Sequence, residues 1–458
     1  MKSPVDGVEA GPMTDPPSKT RQIEWSLLRP LTWFDRELVA TSRAARKGVR
    51  GLGPGLITGV ADDDPSGIST YTVTGASLGY QLLWTSPATL PMNIAVQSVC
   101  ARIGIVTGKG LATVIAERYG RRLLYPVVVL LVVANVVNVG ADIGAIAAAI
   151  ELLSGAPALL LVAPVGIAVA LLEVFIPYTR FVRYLKVLTL VIFAYVVGAF
   201  FAHPDWGQAA RSTLVPRVTP DREVLATIVA ILGTTISPYL FFWQASAEVE
   251  EEGAHGISAP TLSRSQMQEL LRACHFDVFT GMVMANVGFY FVVLTSAAAL
   301  NASGNTEIST AAEAANALRP LAGDAASLLF ALGIIGTGLL AIPVLAGSSA
   351  YATAELFGWR EGLSTTFKQA PQFYGVIGAA TLVGIGMNFA GVGEIRALFV
   401  AAVVNGVTAP ILLVVIMLAA GDRKVLGDFV PGRLLLGLGW LTAVVMAVAA
   451  IAMFATLW

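Results

Sequence analysis

Charged residues, histidine and cysteine are all scarce in this sequence. Of its 458 residues, 13% are charged and 56% are hydrophobic, and it has three histidines and two cysteines. Soluble domains have about a quarter charged residues, so this composition excludes an ordinary soluble domain. Cys100 and Cys274 form no CxxC motif, disulfide framework or zinc framework. The net charge of −1 and the lack of a basic stripe interleaved with aromatics exclude a nucleic-acid partner.

The sequence contains long apolar runs, and its mean hydropathy is +0.73. Backbone amides in hydrocarbon must find partners within their own segment, so runs of ~20 apolar residues cross a bilayer as helices. Hydropathy windows predict eleven spans. They lie near 52–74, 82–106, 124–152, 157–176, 182–202, 224–246, 274–300, 325–353, 373–392, 395–419 and 433–457.

Basic residues predict the orientation, because Lys and Arg favour cytoplasmic loops. Arg36, Arg43, Arg46, Lys47 and Arg50 precede the first span, which places the amino terminus in the cytoplasm. An odd number of spans then places the carboxyl end outside. The predicted location is the cell (inner or plasma) membrane, with the first span acting as an uncleaved insertion signal.

The first predicted span contains three adjacent carboxylates, Asp62, Asp63 and Asp64, followed by Pro65 and Gly67. A charge near mid-bilayer costs ~3 kcal/mol, and proline disfavours helix at the residue before it. We therefore expect the helix to break here and to expose an oxygen-rich cation site to a cavity. The simpler alternative is that the aspartates cap a half-helix, or pair with a buried cation, while Pro65 only kinks the chain.

A second interruption lies in the sixth span, at Thr234, Thr235, Ser237, Pro238 and Tyr239. Alone, this pattern fits a transmembrane proline whose neighbouring hydroxyls bond back to their own helix. Both interruptions, however, are in the first span of a group of five. Matching interruptions in two halves indicate an inverted-repeat transporter with its binding site at the repeat interface.

Other polar residues in the spans are weaker signals. Asn135, Asn138, Asp142, Asn286 and Asn405 each fit an interhelical hydrogen bond, and among them only Asp142 is ionisable.

A run of glutamates follows the sixth span on the predicted cytoplasmic side. It comprises Glu248, Glu250, Glu251 and Glu252. Such a charge run is expected to be a solvated face, with a cation-attracting vestibule as the alternative.

These motifs and their order resemble the Nramp superfamily of divalent metal transporters over essentially the whole chain beyond residue 50. The family has Asp-Pro-Gly-Asn in its unwound first helix, where this sequence has Asp64-Pro65-Ser66-Gly67. It has Met-Pro-His in its sixth helix, where this sequence has Ser237-Pro238-Tyr239. The resemblance implies an all-α membrane fold of two inverted five-helix repeats (LeuT-type), with helices 1 and 6 unwound, plus an eleventh helix.

This fold divides the chain into five parts. They are a cytoplasmic segment at 1–50 that is disordered and then amphipathic, a first repeat at 51–203 (helices 1–5), an extracellular loop at 204–222, a second repeat at 223–420 (helices 6–10) and the eleventh helix at 421–458.

Departures from the family pattern decide the predicted cargo. The family's asparagine ligand falls on Gly67, and its soft thioether ligand falls on Ser237. The resemblance then implies a metal site of Asp64, Gly67, carbonyls near Thr234, Ser237 and retained waters. An all-oxygen site of this kind suits Mg²⁺.

Proton coupling is not expected, because the family's histidine is replaced by Tyr239 and its third-helix carboxylates are reduced to Asp142. Asp63, Tyr239, Asp142 and Asn405 are candidate vestibule or relay residues. These departures resemble the branch called Nramp-related magnesium transporters, which carry Mg²⁺ and Mn²⁺ without evident proton coupling.

We therefore predict a secondary carrier, not an enzyme, that imports Mg²⁺ and also Mn²⁺ by alternating access. The divalent metal ion is its transported substrate, and the protein is embedded in the lipid bilayer. Neither a cofactor nor an obligate protein partner is predicted. The alternatives are a proton-coupled Mn²⁺/Fe²⁺ symporter of the Nramp type, a symporter of the same fold for organic solutes, and a membrane-embedded enzyme or sensor. The sequence has no nucleophile–base pair or His-rich cluster that would support an enzyme.

Overall fold

Every regular element in the described part of the computed structural model is a helix. The structure describes residues 52–176, 178–219, 221–257, 262–306, 308, 311–390 and 394–455. The predicted cytoplasmic segment at 1–50 lies outside these residues.

The longer helices are numbered here in chain order. They are α1 (Pro54–Ala61), α2 (Pro65–Leu78), α3 (Thr85–Thr107), α4 (Leu111–Tyr119), α5 (Arg121–Ser154), α6 (Ala158–Phe175), α7 (Tyr178–Leu188), α8 (Ile192–Phe201), α9 (Trp206–Leu214), α10 (Arg222–Thr235), α11 (Pro238–Ala254), α12 (Arg264–Ala299), α13 (Ala311–Phe357), α14 (Pro371–Phe389), α15 (Glu394–Gly421), α16 (Arg423–Leu426) and α17 (Arg433–Ala455). Gly323 interrupts α13 with non-helical backbone (φ 85°, ψ 170°).

Ten helical stretches among the described residues are long and apolar enough to cross a membrane. They correspond to the second to eleventh predicted spans. The first predicted span is present as α1 and α2, which have 8 and 14 residues and are too short to qualify separately. The prediction of an all-helical, multi-pass membrane protein is therefore confirmed.

Both predicted interruptions are breaks between helices. Asp64 precedes α2 in extended conformation (φ −61°, ψ 167°), and Ser237 precedes α11 in the same region (φ −81°, ψ 136°). Pro65 and Pro238 each occupy the first helical turn, where a missing N–H costs nothing. A residue directly before proline disfavours helical backbone, which explains why Asp64 and Ser237 are both extended.

The short helix α1 packs backbone to backbone against α12. A Cβ on Gly59 would lie 2.1 Å from the carbonyl carbon of Gly281, and one on Gly281 would lie 2.1 Å from the Gly55 oxygen. The Asp277 carboxylate accepts hydrogen bonds from the amides of Gly55 and Leu56 at 2.7 and 3.1 Å. A carboxylate from another helix therefore satisfies two free donors at the start of α1.

A similar close contact, between α10 and α15, fixes the position of the helix that ends at the second break. A Cβ on Gly233 of α10 would lie 2.0 Å from the Ala402 oxygen and 2.5 Å from the Gly406 nitrogen, both on α15. Helix α2 also contacts α10 and α15. The two breaks therefore lie beside each other inside the bundle.

The glutamates after the second break are buried. Glu248, Glu250 and Glu252 are only 6%, 9% and 6% exposed. Glu250 accepts hydrogen bonds from the Tyr351 hydroxyl at 3.0 Å and the Ser364 amide at 3.2 Å. The expectation of a solvated face is wrong for these three residues: α12 covers Glu248, and α13 and the segment after it cover Glu250.

We expect Gly281→Ala to destabilise the protein, because its methyl group would lie 2.1 Å from the Gly55 oxygen. Overpacking of this kind costs about 1–3 kcal/mol. Gly378→Ala is the matched control, since a Cβ there meets no atom within 4 Å. Thermal unfolding of the detergent-solubilised protein measures the difference, and equal melting temperatures for the two variants would contradict the close contact between α1 and α12.

Candidate functional site

Asp64 lies at the first break and caps α2. Its Oδ1 accepts hydrogen bonds from the Gly67 amide at 2.7 Å and the Ser66 hydroxyl at 2.5 Å. Its Oδ2 lies 3.4 Å from the Tyr239 hydroxyl, across the second break. The simpler interpretation, an aspartate that caps a half-helix, thus accounts for one of the two carboxylate oxygens and leaves the other facing α11.

Tyr239 joins the two breaks through its hydroxyl. This group donates a hydrogen bond at 2.9 Å to the carbonyl of Ala61, the last residue of α1. The backbone carbonyl of Tyr239 in turn accepts a hydrogen bond from the Ser348 hydroxyl on α13 at 2.8 Å. The phenol therefore satisfies a carbonyl that the end of α1 would otherwise leave free.

The hydroxyls of the sixth span divide into two groups. The Ser237 hydroxyl donates to the carbonyls of Gly233 and Thr234 at 2.7 and 2.8 Å, and the Thr235 hydroxyl donates within its own helix. The Thr234 hydroxyl lies 3.5 Å from the Ser66 hydroxyl. Thr235 thus bonds within α10, Ser237 bonds back across the break to the last turn of α10, and Thr234 reaches toward the first break.

Asp142 on α5 is brought to the same place. It is fully buried, and its carboxylate lies within electrostatic range of Asp64 and near the Ser66 amide. Neither of its oxygens is bonded to another side chain among the described residues. The structure therefore places a second carboxylate beside Asp64, which the sequence pattern alone ranks as a weak signal.

The three adjacent aspartates point toward different helices. Asp62 accepts a hydrogen bond from the Asn93 amide on α3 at 3.0 Å. Asp63 lies against α12, where a Cβ on Gly288 would be 2.1 Å from its Oδ2. Asp64 faces α11. The ~100° rotation per residue of a helical turn predicts such a separation.

Two other predicted site residues contribute no side-chain contact to the breaks. Gly67 supplies its backbone amide to Asp64, and a Cβ there would lie 2.9 Å from the Asp62 carbonyl oxygen. Asn405 is buried on α15, next to the Gly406 contact with α10. No hydrogen bond joins its side chain to the described residues of either break.

Local sequence patterns identify some of the polar network and miss the rest. Ser66 carries a signal, because a helix-capping aspartate followed by proline puts the next hydroxyl in the first turn of α2. Asn93 carries none, since it is one amide in the long helix α3 and meets Asp62 only through tertiary packing.

The site is closed to solvent on all sides. Asp64, Thr234, Ser237 and Tyr239 are each at most 2% exposed. Within the described ranges, no group of three or more His, Cys, Asp or Glu side chains is close enough to share a metal ion. A metal between the breaks would therefore be held by one or two carboxylates together with carbonyls, hydroxyls and waters, the ligand set of hard cations.

Comparison with known families identifies the chain. The model of the natural resistance-associated macrophage protein-like (Nramp) family matches residues 55–456. The chain belongs to the Nramp family. Nramp proteins are membrane transporters for divalent metal ions and not enzymes, and the metal is their cargo. The predicted superfamily is confirmed, while the magnesium branch stays a prediction.

Solved structures share the fold. The manganese transporter of Eremococcus coleocola, in complex with an aromatic bis-isothiourea substituted compound, matches with a TM-score of 0.71 and 20% identity over 89% of this chain and 86% of that chain. Mhp1, a nucleobase-cation-symport-1 family transporter in a closed conformation with bromovinylhydantoin bound, matches with a TM-score of 0.57 and 15% identity over 89% of this chain and 93% of that chain. These matches confirm the predicted LeuT-type fold.

We expect Tyr239→Phe to lower the melting temperature of this Nramp protein without added metal. The change leaves the Ala61 carbonyl and the Asp64 Oδ2 without the phenol donor, and a buried unsatisfied group costs about 1–3 kcal/mol. Tyr125→Phe is the control, because Tyr125 is 42% exposed. An unchanged melting temperature for Tyr239→Phe would show that the hydroxyl does not join the two breaks.

Proposed function

We propose that this Nramp protein is a secondary carrier that imports Mg²⁺, and also Mn²⁺, by alternating access and without proton coupling. The observation that carries the proposal is the placement of two buried carboxylates, Asp64 and Asp142, where the two broken helices meet. The proposed metal ligands are Asp64, the carbonyl region around Thr234, Ser237 and the backbone at Gly67, with waters completing the shell.

Charge balance supports a divalent cargo. The donors to Asp64 are the neutral groups of Ser66, Gly67 and Tyr239. None of the ion pairs between described side chains includes Asp64 or Asp142. Two negative charges close together in a medium of low dielectric repel each other strongly. A cation of charge +2 between them neutralises both.

Ligand chemistry supports a hard metal. The side chains that meet at the two breaks offer carboxylate and hydroxyl oxygens, and the unwound backbone adds carbonyl oxygens. Oxygen ligands suit Mg²⁺ and Mn²⁺, whereas sulfur ligands favour softer metals. Mn²⁺ as a second cargo is supported by the fold that this chain shares with the manganese transporter of Eremococcus coleocola.

Burial and helix breaks support alternating access. Because the site residues are closed to solvent, a metal could enter and leave only when one of the half-helices moves. The backbone is already broken at Asp64 and Ser237, which gives such a movement a hinge. The Lys and Arg distribution supports an orientation with the amino end in the cytoplasm and the carboxyl end outside the cell membrane. The proposed direction of transport, import, follows from this orientation.

Tyr239 supports transport without proton coupling. It occupies the position of the family's histidine, and an unperturbed phenol has a pKa about three units above neutral pH. Its hydroxyl is also engaged with the Ala61 carbonyl. A side chain of this kind is a poor proton carrier in the physiological range.

We expect Asp64→Asn to reduce Mg²⁺ influx into proteoliposomes by about tenfold or more, because losing a charged ligand costs at least ~1.4 kcal/mol. Asparagine caps helices as well as aspartate does, so this change removes the charge and keeps the cap of α2. Asp428→Asn is the control, since the Asp428 side chain is 75% exposed.

Unchanged influx in Asp64→Asn would exclude Asp64 as a ligand. A pH-sensitive dye inside the wild-type vesicles should report no change during metal uptake. Metal-driven acidification of the lumen would instead support the proton-coupled Mn²⁺/Fe²⁺ symporter.

We expect Ser237→Cys to raise the affinity for Cd²⁺ relative to Mg²⁺ several-fold, because a nearly isosteric thiol restores a soft ligand at this position. Isothermal titration of the purified protein with Mg²⁺, Mn²⁺ and Cd²⁺ measures the change. Ser296→Cys, at a buried position on α12, is the matched control. Equal metal preferences in the two variants would place Ser237 outside the ligand shell.

A further inference from the structure

A cavity of about 640 Å³ opens where α6 ends and α14 begins. Its lining includes the last residue of α6, Phe175, and the last residue of α11, Ala254. Ala254 is 16 residues beyond Pro238, which is about 24 Å along a helix. The cavity is therefore separate from the metal site at the two breaks, and its volume is within the range of about 300–1,000 Å³ found for ligand pockets.

Two phenylalanines form the apolar part of the lining, and both are exposed. Phe175 is 73% exposed and Phe367 is 52% exposed. Helix α6 is long and apolar enough to cross a membrane, and so is α14, which begins at Pro371. The cavity thus lies at the ends of two membrane-spanning helices, where exposed rings meet the acyl chains of lipids.

The charge at this cavity is positive. Lys368 is exposed and is the one charged residue in the described lining. Arg180 and Arg183 are exposed on α7, and the Cα atom of Arg180 lies within about 14 Å of that of Ile176, a lining residue four positions earlier. None of the ion pairs between described side chains includes these three basic residues. Their charge is therefore available to an anionic ligand.

Two buried carboxylates behind the lining face the protein interior. Glu173 of α6 is 2% exposed, and its Oε1 would lie 3.7 Å from a Cβ on Gly347 of α13. Glu250 of α11 accepts the Ser364 amide. Neither glutamate belongs to the lining, so an anion in the cavity would not contact them.

We propose that this cavity binds an anionic phospholipid, with the phosphate at Lys368 and an acyl chain along Phe175 and Phe367. The exposed hydroxyls of Ser364 and Thr366 in the same lining supply further donors to the phosphate. Basic pockets between membrane helices bind anionic headgroups, and a lipid, unlike a free anion, also covers the exposed rings. This inference goes beyond the proposed metal transport and does not depend on it.

A lipid in this cavity would also stabilise the end of α11. The Ser364 amide donates a hydrogen bond to Glu250 Oε2 at 3.2 Å. The Leu363 amide donates to the Tyr351 hydroxyl at 3.3 Å, and that hydroxyl donates to Glu250 Oε1 at 3.0 Å. Because Glu250 belongs to the half-helix that follows the second break, a ligand that holds residues 363 and 364 in place also holds this half-helix.

Native mass spectrometry of the purified full-length protein in detergent tests the proposal. The protein is titrated with dioleoyl phosphatidylglycerol, which is anionic, or with dioleoyl phosphatidylcholine, which has the same chains and no net charge. We expect saturable binding with a clear preference for phosphatidylglycerol. Lys368→Gln should bind phosphatidylglycerol about fivefold more weakly, the effect of one basic residue at an anionic lipid surface. Phe367→Ser should weaken the binding of both lipids.

Lys424→Gln is the matched control and should bind as the wild type does, since Lys424 is an exposed lysine outside the lining. Lys368 and Phe367 are also exposed, and size-exclusion chromatography checks that each variant is folded.

Equal affinity for the two lipids, or wild-type binding of phosphatidylglycerol by Lys368→Gln, would overturn the proposal. Competition by glycerol 3-phosphate at the same concentrations as phosphatidylglycerol would assign the cavity to a free anion and also overturn it. Absence of saturable lipid binding by the wild type, as expected if another part of the chain fills the cavity, would overturn it as well.

Discussion

The arrangement of this transporter depends on satisfying backbone groups where two membrane-spanning helices are broken. In an apolar environment every free amide or carbonyl needs a partner. Asp64 accepts the Gly67 amide at the start of α2, and Tyr239 donates to the Ala61 carbonyl at the end of α1. The polar side chains that make the breaks tolerable are the same ones that create an oxygen-rich site between them.

The carboxylates around the first break are kept apart by the geometry of a single turn. Asp62 bonds to α3, Asp63 lies against α12, and Asp64 faces α11 and the Asp142 carboxylate of α5. This separation leaves Asp64 with Asp142 on one side of the break and directs Asp62 and Asp63 to other helices. A divalent cargo fits the pair of Asp64 and Asp142, because it balances both charges.

Close glycine contacts hold the half-helices where these groups can meet. Gly59 lets α1 approach Gly281, and Gly233 lets α10 approach Ala402. Short helices have little stability of their own, so their position depends on such packing and on capping by Asp277. A movement that opened the site would have to separate one of these contacts.

The sequence by itself determined the spans and the two breaks, because hydropathy acts over ~20 consecutive residues and proline acts on its immediate neighbour. It also indicated Asp64 as a central residue. Only the tertiary structure decided that Asp142 lies beside Asp64, that Asp63 faces Gly288, and that Glu248, Glu250 and Glu252 are buried. Each of these facts depends on which helix lies opposite, and residues distant in the chain meet only when the helices pack.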